Sequence, residues 1–304
     1  MLAWTERPDP VPGLGQALVR VHRVGLNLAD VYRRNGTYHL AGNAPWILGY
    51  EGAGEIVSAP AGSGFSAGQR VAFADCPFAN AELVAADLDR LIALPDSVSY
   101  ELAAAVLLQG LTAQYLIRDS YRVRAGDRAV VHAAAGGVGL LLVKMIVHAG
   151  ATAIGVVSSQ AKRAAALAAG CGHALDVRDW PSAAKALAPH GFDVVYDSVG
   201  TTLADSLDVA RTGGTVVFYG MAGGDPAPVD PRRLMDRSLR LVGGDLWNVL
   251  TSAHERRTRA ADLFAALDAG LNVQIAARFA LRDGAEAHRY LESRAAIGKV
   301  VLEV

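Results

Sequence analysis

An α/β chain with a doubly wound parallel sheet and a second, β-rich domain is what this sequence predicts, and three observations carry the prediction. The first is residues 127–149, DRAVVHAAAGGVGLLLVKMIVHA, where a short apolar run passes through small residues into an apolar segment of helical length. Strand-like and helix-like segments then alternate as far as Val242, which is the second. The third lies upstream, in residues 49–57 and 68–73, whose short runs and close-set glycines suit a small barrel with sharp corners.

Taken in order, residues 8–24 open with a proline-rich turn, and residues 17–24 then alternate as a strand does. A short helix is expected over 27–34. From 100 to 118 the pattern is helical, with Ser97 or Ser99 available as caps and Gly110 as a kink. Residues 129–132 read as a strand buried on both faces, and Ala134-Ala135-Gly136-Gly137-Val138-Gly139 after it reads as G-x-G-x-x-G with alanine first. Small side chains there let the backbone approach a pyrophosphate seated on the amides of the helix N-terminus, while Gly139 lets helix and strand pack closely. An ordinary tight turn is the competing reading, and the flanking strand and helix argue against it. Further strands are expected over 152–157, 173–176, 192–197, 214–219 and 239–242, with helices over 160–169, from Pro181, and over 203–210. This alternation implies a Rossmann-type doubly wound parallel sheet with right-handed crossovers. The tail adds helices over 255–269 and 283–294 and a last strand over 299–304. Because residues 109–242 suffice as a nucleotide-binding domain, 1–108 and 243–304 are expected to fold together as the second domain.

Composition sets the outer bounds. A chain of 304 residues matches about two domains, and 52% hydrophobic with 19% charged residues suits a soluble globular protein, not a disordered one. The formal net charge of -1 offers no field for polyanions, so neither nucleic acid nor a membrane surface is indicated as a partner. The N-terminus MLAWTERPDP carries Glu6 and Asp9 where a signal peptide needs an apolar core, so secretion is not expected. The most apolar stretch, residues 129–157, is broken by His132, the glycine turn, Lys144 and His148, which fits a buried strand, helix and strand but no membrane span. Cys76 and Cys171 lie far apart and form no C-x-x-C, as free buried thiols of a reducing cytoplasm would.

An NAD-preferring site wants a carboxylate at the end of the second strand, about 20 residues after the glycine turn, to hold the ribose diol. Here that strand ends in Val157-Ser158-Ser159, with Lys162 a helical turn further on. Hydroxyls and an ammonium suit a 2′-phosphate, so the cofactor is expected to be NADPH. The alternative is that Ser158 and Ser159 merely cap the helix and Lys162 is a solvated charge. For a metal, the eight histidines show neither H-E-x-x-H nor any Cys-His spacing, and no G-x-S-x-G marks a nucleophile. A redox cofactor without a separate catalytic machine agrees with hydride transfer, in which the protein supplies position and polarity.

The residues from 132 to 139, HAAAGGVG, resemble the nucleotide loop of the zinc-free quinone oxidoreductases, the zeta-crystallin group of the medium-chain dehydrogenase/reductase superfamily. Residues 24–33 (VGLNLADVYR), 36–38 (GTY), 109–112 (QGLT), 196–200 (YDSVG) and 291–294 (LESR) resemble that group's other motifs, in its order, so the resemblance covers residue 11 to the end. It implies a GroES-like β-rich partial barrel built from both chain ends, a Rossmann domain between them, and an active cleft where they meet. It also implies NADPH-dependent reduction of quinones or related enones. By position, Asn27 and Thr112 should border the nicotinamide, Tyr32 and Tyr38 should line the substrate cleft, and Gln109 should lie near the cofactor. Ala135 to Gly139, Ser198 and Gly220 belong to the cofactor's surroundings, and Lys162 and Arg294 match cations that hold the 2′-phosphate. Asn27 stands at the place of the alcohol dehydrogenases' zinc-binding cysteine and Tyr50 at that of their zinc-binding histidine, so no metal is expected.

The plainer readings are Asn27 as a turn or cap residue, Tyr32 as a core aromatic and Tyr38 as a surface loop residue. The family begins with a further strand of which MLAWTERPDP retains little, and its 2′-phosphate-contacting tyrosine falls at Val177, with Arg178 next to it as a substitute. Residues 239–244, LRLVGG, resemble the sheet edge through which the family pairs two chains, so a homodimer is expected. In the expected reaction, Asn27 or a tyrosine hydroxyl stabilises the oxyanion, and Tyr32, Tyr38 or water supplies the proton. An enone or enoyl-thioester reductase is the alternative chemistry, and a non-catalytic NADPH-binding structural or regulatory protein is the alternative of another class.

Overall fold

The computed structural model describes residues 2–304. It divides into two compact units, one running to Leu111 and resuming over Trp247–Val304, the other comprising Thr112–Leu246.

In chain order the first unit contains β1 (Gln16–Leu26), α1 (Leu28–Arg34), β2 (Gly52–Ser58), β3 (Arg70–Phe73), β4 (Leu83–Asp87), β5 (Ile92–Ala93) and most of α2 (Tyr100–Tyr115). β1 buries Ala17, Val19 and Val21 with a period of two, and an irregularity in its pairing with β2 between Val21 and Arg23 resets the phase so that Val24 and Leu26 also point inward. Ser99 is the serine that caps α2, its hydroxyl accepting from the Leu102 N–H at 3.1 Å. Gly110, where a kink is expected, is passed by the helix without a break. Its missing side chain serves packing instead, since a Cβ there would lie 2.6 Å from a Leu263 methyl.

The second unit begins with the last turn of α2 and a π turn at Leu116–Ser120. There follow β6 (Arg128–His132), α3 (Gly137–His148), β7 (Thr152–Val157), α4 (Gln160–Ala168), β8 (His173–Asp176), α5 (Trp180–Leu187), β9 (Phe192–Asp197), α6 (Leu203–Val209), β10 (Ala210–Phe218), α7 (Pro231–Asp236) and β11 (Arg240–Gly243). All six strands are parallel, in the order β11-β10-β9-β6-β7-β8. The chain therefore reverses its direction of travel across the sheet at β6, beside β9, and the crevice at the carboxyl ends of those two strands is where such a sheet holds ligands. Packed between other strands, β6 has Ala129, Val130 and Val131 wholly buried. β10 begins four residues earlier than its apolar run, and α7 was not expected.

The chain then returns to the first unit with α8 (Ala253–Asp268), β12 (Ile275–Ala280), α9 (Gly284–Glu292) and β13 (Lys299–Glu303). β13 pairs antiparallel with β1, Arg23 opposite Glu303 and Leu26 opposite Val300, so the two ends of the chain share one sheet. Its order is β12-β13-β1-β2-β3-β5, with β4 paired to the other stretch of β1. The core of this unit packs Val19, Val24, Ile56, Val71 and Phe73 against Leu281, Ala287, Val300 and Leu302 from the tail.

Candidate active site

In the second unit, the turn from β6 to α3 has the geometry of a phosphate cradle. Ala133 takes a left-handed backbone (φ 49°), Gly136 is the N-cap in extended conformation, and α3 starts at Gly137. Ala134, Ala135 and Gly139 are buried, whereas Gly136, Gly137 and Val138 are partly open. A Cβ on Gly139 would lie 2.3 Å from the Ala133 carbonyl oxygen, so only glycine lets helix and turn approach this closely. On β7, a Cβ on Gly155 would meet the Ala134 side chain at 2.8 Å, a requirement for a small residue that the loop motif alone does not reveal.

The neighbouring loop after β9 is held from beneath. Asp197 Oδ1 accepts from the N–H groups of Val199 (2.9 Å) and Gly200 (3.0 Å), and Oδ2 accepts from Ser206 Oγ at 2.7 Å. Since the Ser206 proton goes to Asp197, the His132 Nε2–H donates to Ser206 Oγ at 3.0 Å, which fixes the imidazole tautomer. Burial lowers the His132 pKa against the pull of Asp197. Burial works to raise the Asp197 pKa, but His132, Ser206 and the two backbone N–H groups hold it below the usual carboxylate value. The Ser198 carbonyl in turn accepts from the Ala222 N–H, and a Cβ on Gly220 would lie 3.0 Å from that carbonyl, so the two loops bearing Ser198 and Gly220 are stitched together.

At the end of β7, Ser159 caps α4, its Oγ accepting from the Lys162 N–H at 3.3 Å, as the plainer reading had it. Ser158 is exposed, and the Lys162 ammonium donates to its hydroxyl at 3.3 Å, so a hydroxyl and a cation lie side by side where a carboxylate is missing. Val177 is exposed. Arg178, beside it, is exposed and bonded bidentately to Asp176 at 2.9 and 2.7 Å. Arg294 belongs to the first unit, in the left-handed residue that follows α9 (φ 58°).

In the first unit, Asn27 precedes α1 and is 5% exposed. Its Nδ2 donates to Gly25 O (3.1 Å) and Glu51 Oε2 (2.9 Å), while its Oδ1 accepts from Gln109 Nε2 (3.2 Å) and Lys299 Nζ (2.8 Å). Both amide hydrogens and both lone pairs are thereby used. In this arrangement the Asn27 side chain has no hydrogen left for an oxyanion, which leaves the tyrosine hydroxyls as the other donors expected from the sequence. Glu51 and Lys299, both wholly buried, were not singled out from the sequence. Gln109 and Thr112 lie one turn apart on α2, and each is 8% exposed.

Tyr32 and Tyr38 lie edge to face with ring centroids 6.5 Å apart. Between Tyr38 and Tyr50 runs Arg33, 1% exposed, whose Cζ lies 3.7 Å from the Tyr50 ring centroid and 5.1 Å from that of Tyr38. The donor set does not fit a metal. Among the described residues no group of three or more His, Cys, Asp or Glu could hold one. The two positions that carry zinc ligands in alcohol dehydrogenases are here an amide touching the Lys299 ammonium and a phenol ring under the Arg33 guanidinium. Each of these cations is already paired with a buried carboxylate, Lys299 with Glu51 and Arg33 with Asp30, so neither carboxylate is left over as a ligand.

A doubly wound parallel sheet with its nucleotide-type turn, in one chain with a β-rich unit built from both ends, defines the medium-chain dehydrogenase/reductase class. A family model described as an alcohol dehydrogenase GroES-like domain matches residues 13–125, and one described as a zinc-binding dehydrogenase matches residues 137–266. A quinone oxidoreductase of Pseudomonas aeruginosa is 37% identical over 99% of this chain and 95% of its own length. A 2-haloacrylate reductase of a Burkholderia species is 35% identical over 98% of this chain and 94% of its own. The crystal structure of Escherichia coli quinone oxidoreductase complexed with NADPH superimposes with a TM-score of 0.95 at 32% identity, covering 99% of this chain and 95% of that one. The chain belongs to the quinone oxidoreductase family of the medium-chain dehydrogenase/reductase superfamily.

Proposed function

We propose that this protein is an NADPH-dependent, zinc-independent reductase of quinones or related electrophilic enones. What carries the reading is a dinucleotide turn whose second strand ends in Ser158 and Lys162 without a carboxylate, in a chain whose zinc-ligand positions are filled by Asn27 and Tyr50. NADPH, when bound, supplies a hydride at the dihydronicotinamide ring. The protein's part is position and charge. Ala135, Gly136, Gly137, Val138 and Gly139 present backbone amides and space to the pyrophosphate, and Ser158, Ser159 and Lys162 face the 2′-phosphate, with Arg294 as a further cation. Ser198, in the loop that Asp197 holds through Val199 and Gly200, and Gly220 beside it flank the cofactor. Gln109 and Thr112 border the nicotinamide, Asn27 orients Gln109, and Tyr32 and Tyr38 line the substrate site and relay a proton.

A second acceptor class is favoured by the 35% identity to a 2-haloacrylate reductase, namely alkenes activated by a carboxylate or carbonyl. NADPH oxidation measured against simple quinones, 2-chloroacrylate, alkenals and enoyl-CoA esters separates the two, and absence of turnover with all of them would leave the non-catalytic reading.

The assembly and setting belong to the same proposal. β11 is the edge of the parallel sheet and carries Leu241 and Val242 only partly buried, which supports a homodimer formed by edge pairing, testable by light scattering at micromolar concentration. No helix among the described residues is long and apolar enough to cross a membrane, and Cys76 and Cys171 are free and buried, which agrees with a cytoplasmic protein.

A further inference from the structure

Asp197 puts a wholly buried carboxylate at the carboxyl end of β9. Taking such a charge out of water is costly, and an apolar strand does not need one for its own pairing. Its bonds show what it does there. Oδ1 accepts from the Val199 and Gly200 N–H groups, the Thr202 hydroxyl lies 3.0 and 2.8 Å from the two oxygens, and Oδ2 accepts from Ser206 Oγ. The loop held in this way carries the next one, the loop after β10. The Val199 carbonyl accepts from the Gly223 N–H at 2.7 Å, and Gly200, left-handed at φ 88°, leaves no room for a Cβ against the Gly224 carbonyl. On its other side the chain of bonds runs through Ser206 to His132, the last residue of β6, whose imidazole meets the Trp180 ring at 86°. The same three residue types form hydrolase triads, but here the hydroxyl proton goes to the carboxylate and no base receives it. What the three residues join is the strand that leads into the pyrophosphate turn and the two loops across the switch point from it.

The sheet order separates the two ends of a dinucleotide. β8, β7 and β6 lie on one side of the reversal and β9, β10 and β11 on the other, and each set of three serves one nucleotide. With Ser158 and Lys162 at the end of β7 facing the 2′-phosphate, adenosine belongs to the first set and the nicotinamide nucleotide to the second, at the loops that Asp197 holds. Resting on the proposed NADPH-dependent reading, we infer that His132, Ser206 and Asp197 are positioning residues for the nicotinamide half of the cofactor, fixing the loops after β9 and β10 relative to the pyrophosphate turn. All three are buried, so they act through the backbone of residues 198–200 and 222–223. Adenosine and its 2′-phosphate are bound without their help.

The test uses Ser206→Ala, which breaks the link between His132 and Asp197. Two ligands are titrated calorimetrically, NADPH and adenosine 2′,5′-bisphosphate, a fragment that keeps the 2′-phosphate and lacks the nicotinamide half. The Kd for NADPH should rise about 10-fold, as for one lost buried hydrogen bond, while that for the fragment stays within about 2-fold. His132→Leu should repeat this pattern. His132→Gln, whose amide can donate where Nε2–H does, should bring NADPH back to within about 3-fold of wild type. General damage to the unit would weaken both ligands and would not be repaired by glutamine. The inference is overturned if Ser206→Ala leaves NADPH affinity unchanged, if the fragment weakens as much as NADPH, or if leucine and glutamine behave alike at position 132. Should Ser206→Ala not fold, the two His132 variants are read by the same criteria. A wild-type protein that binds neither NADPH nor the fragment would overturn the cofactor reading itself.

Discussion

Lys299 Nζ donates to Asn27 Oδ1 at 2.8 Å and to Glu51 Oε2 at 2.5 Å, tying the last strand of the chain to the residue before its first helix. An ammonium has no acceptor, so Asn27 must turn its oxygen to Lys299 and its amino group to Glu51 and Gly25. Gln109 then has to offer its own amino group to that oxygen. One buried lysine thus sets the direction of two amides. Removing it by Lys299→Met leaves Glu51 charged and unpaired in the interior, with an expected loss of about 3–5 kcal/mol in urea unfolding. Glu51→Gln/Lys299→Met should recover most of that loss, and equal destabilisation of the single and double variants would show that the ion pair is not what matters.

The same ammonium bears on metal. With Lys299 against Asn27 and Arg33 over Tyr50, zinc would meet an amide and a phenol ring in place of thiolate or imidazole ligands. Chelators should leave acceptor reduction unchanged. Stoichiometric zinc by elemental analysis, with activity lost on its removal, would contradict this.

His288 on α9 gives stability a definite pH dependence. Burial, with the Arg34 guanidinium beside it, lowers its pKa from 6.5 to about 4, against a smaller opposite effect of Glu292. Because the folded value lies below the unfolded one, acid protonates the unfolded chain first. The stabilisation is complete above about pH 6.5 and is lost as pH falls toward about 4, amounting to roughly 3 kcal/mol over that window. Urea titrations between pH 4 and 7 should show this decline, and His288→Gln should flatten it.

Local pattern was enough for the parallel sheet, since its buried strands are apolar runs punctuated by glycine and each lies next to the helix that follows it. β4 and β12 escaped it. Leu83–Asp87 is short and pairs with β1, roughly 70 residues upstream, whereas Ile275–Ala280 pairs with the next strand but has an Ala-Ala-Arg middle that forms no apolar run. The charged residues at the site were hidden for a related reason. A lysine opening a terminal strand or an arginine in a short helix reads locally as a solvated charge, and only partners 248 and 272 residues away reveal that Lys299 is buried. Gly110 shows the converse, a residue read as a kink whose missing side chain admits Leu263.

The glycine turn predicts a defect blind to cofactor type. A Cβ at position 139 would meet backbone, the Ala133 oxygen at 2.3 Å and Ala134 Cα at 2.8 Å, so Gly139→Ala must push helix and turn apart. NADPH and NADH share the pyrophosphate, and their affinities should fall together, about 10-fold or more. Calorimetry on both cofactors checks this, and a loss confined to NADPH would place the pyrophosphate elsewhere.

Lys162 should behave in the opposite way. Its ammonium lies 3.3 Å from the Ser158 hydroxyl at the exposed end of β7, and no carboxylate stands there to repel a 2′-phosphate. Arg178 is paired with Asp176 at the surface, and the Val177 side chain has nothing to donate. On the proposed reading, discrimination between the cofactors rests mainly on Lys162, with Ser158 beside it. A charge-assisted hydrogen bond contributes about 1.5–3 kcal/mol, so Lys162→Ala should weaken NADPH roughly 10- to 100-fold. NADH should barely change, because its ribose hydroxyl offers the lysine no charged partner. Raising the salt concentration should narrow the wild-type preference, as this pair is partly exposed and screened. Arg294→Ala should act in the same direction as Lys162→Ala. Titration of both cofactors against wild type and the two variants decides the matter: an equal loss for NADH and NADPH in Lys162→Ala would mean that this lysine does not read the phosphate.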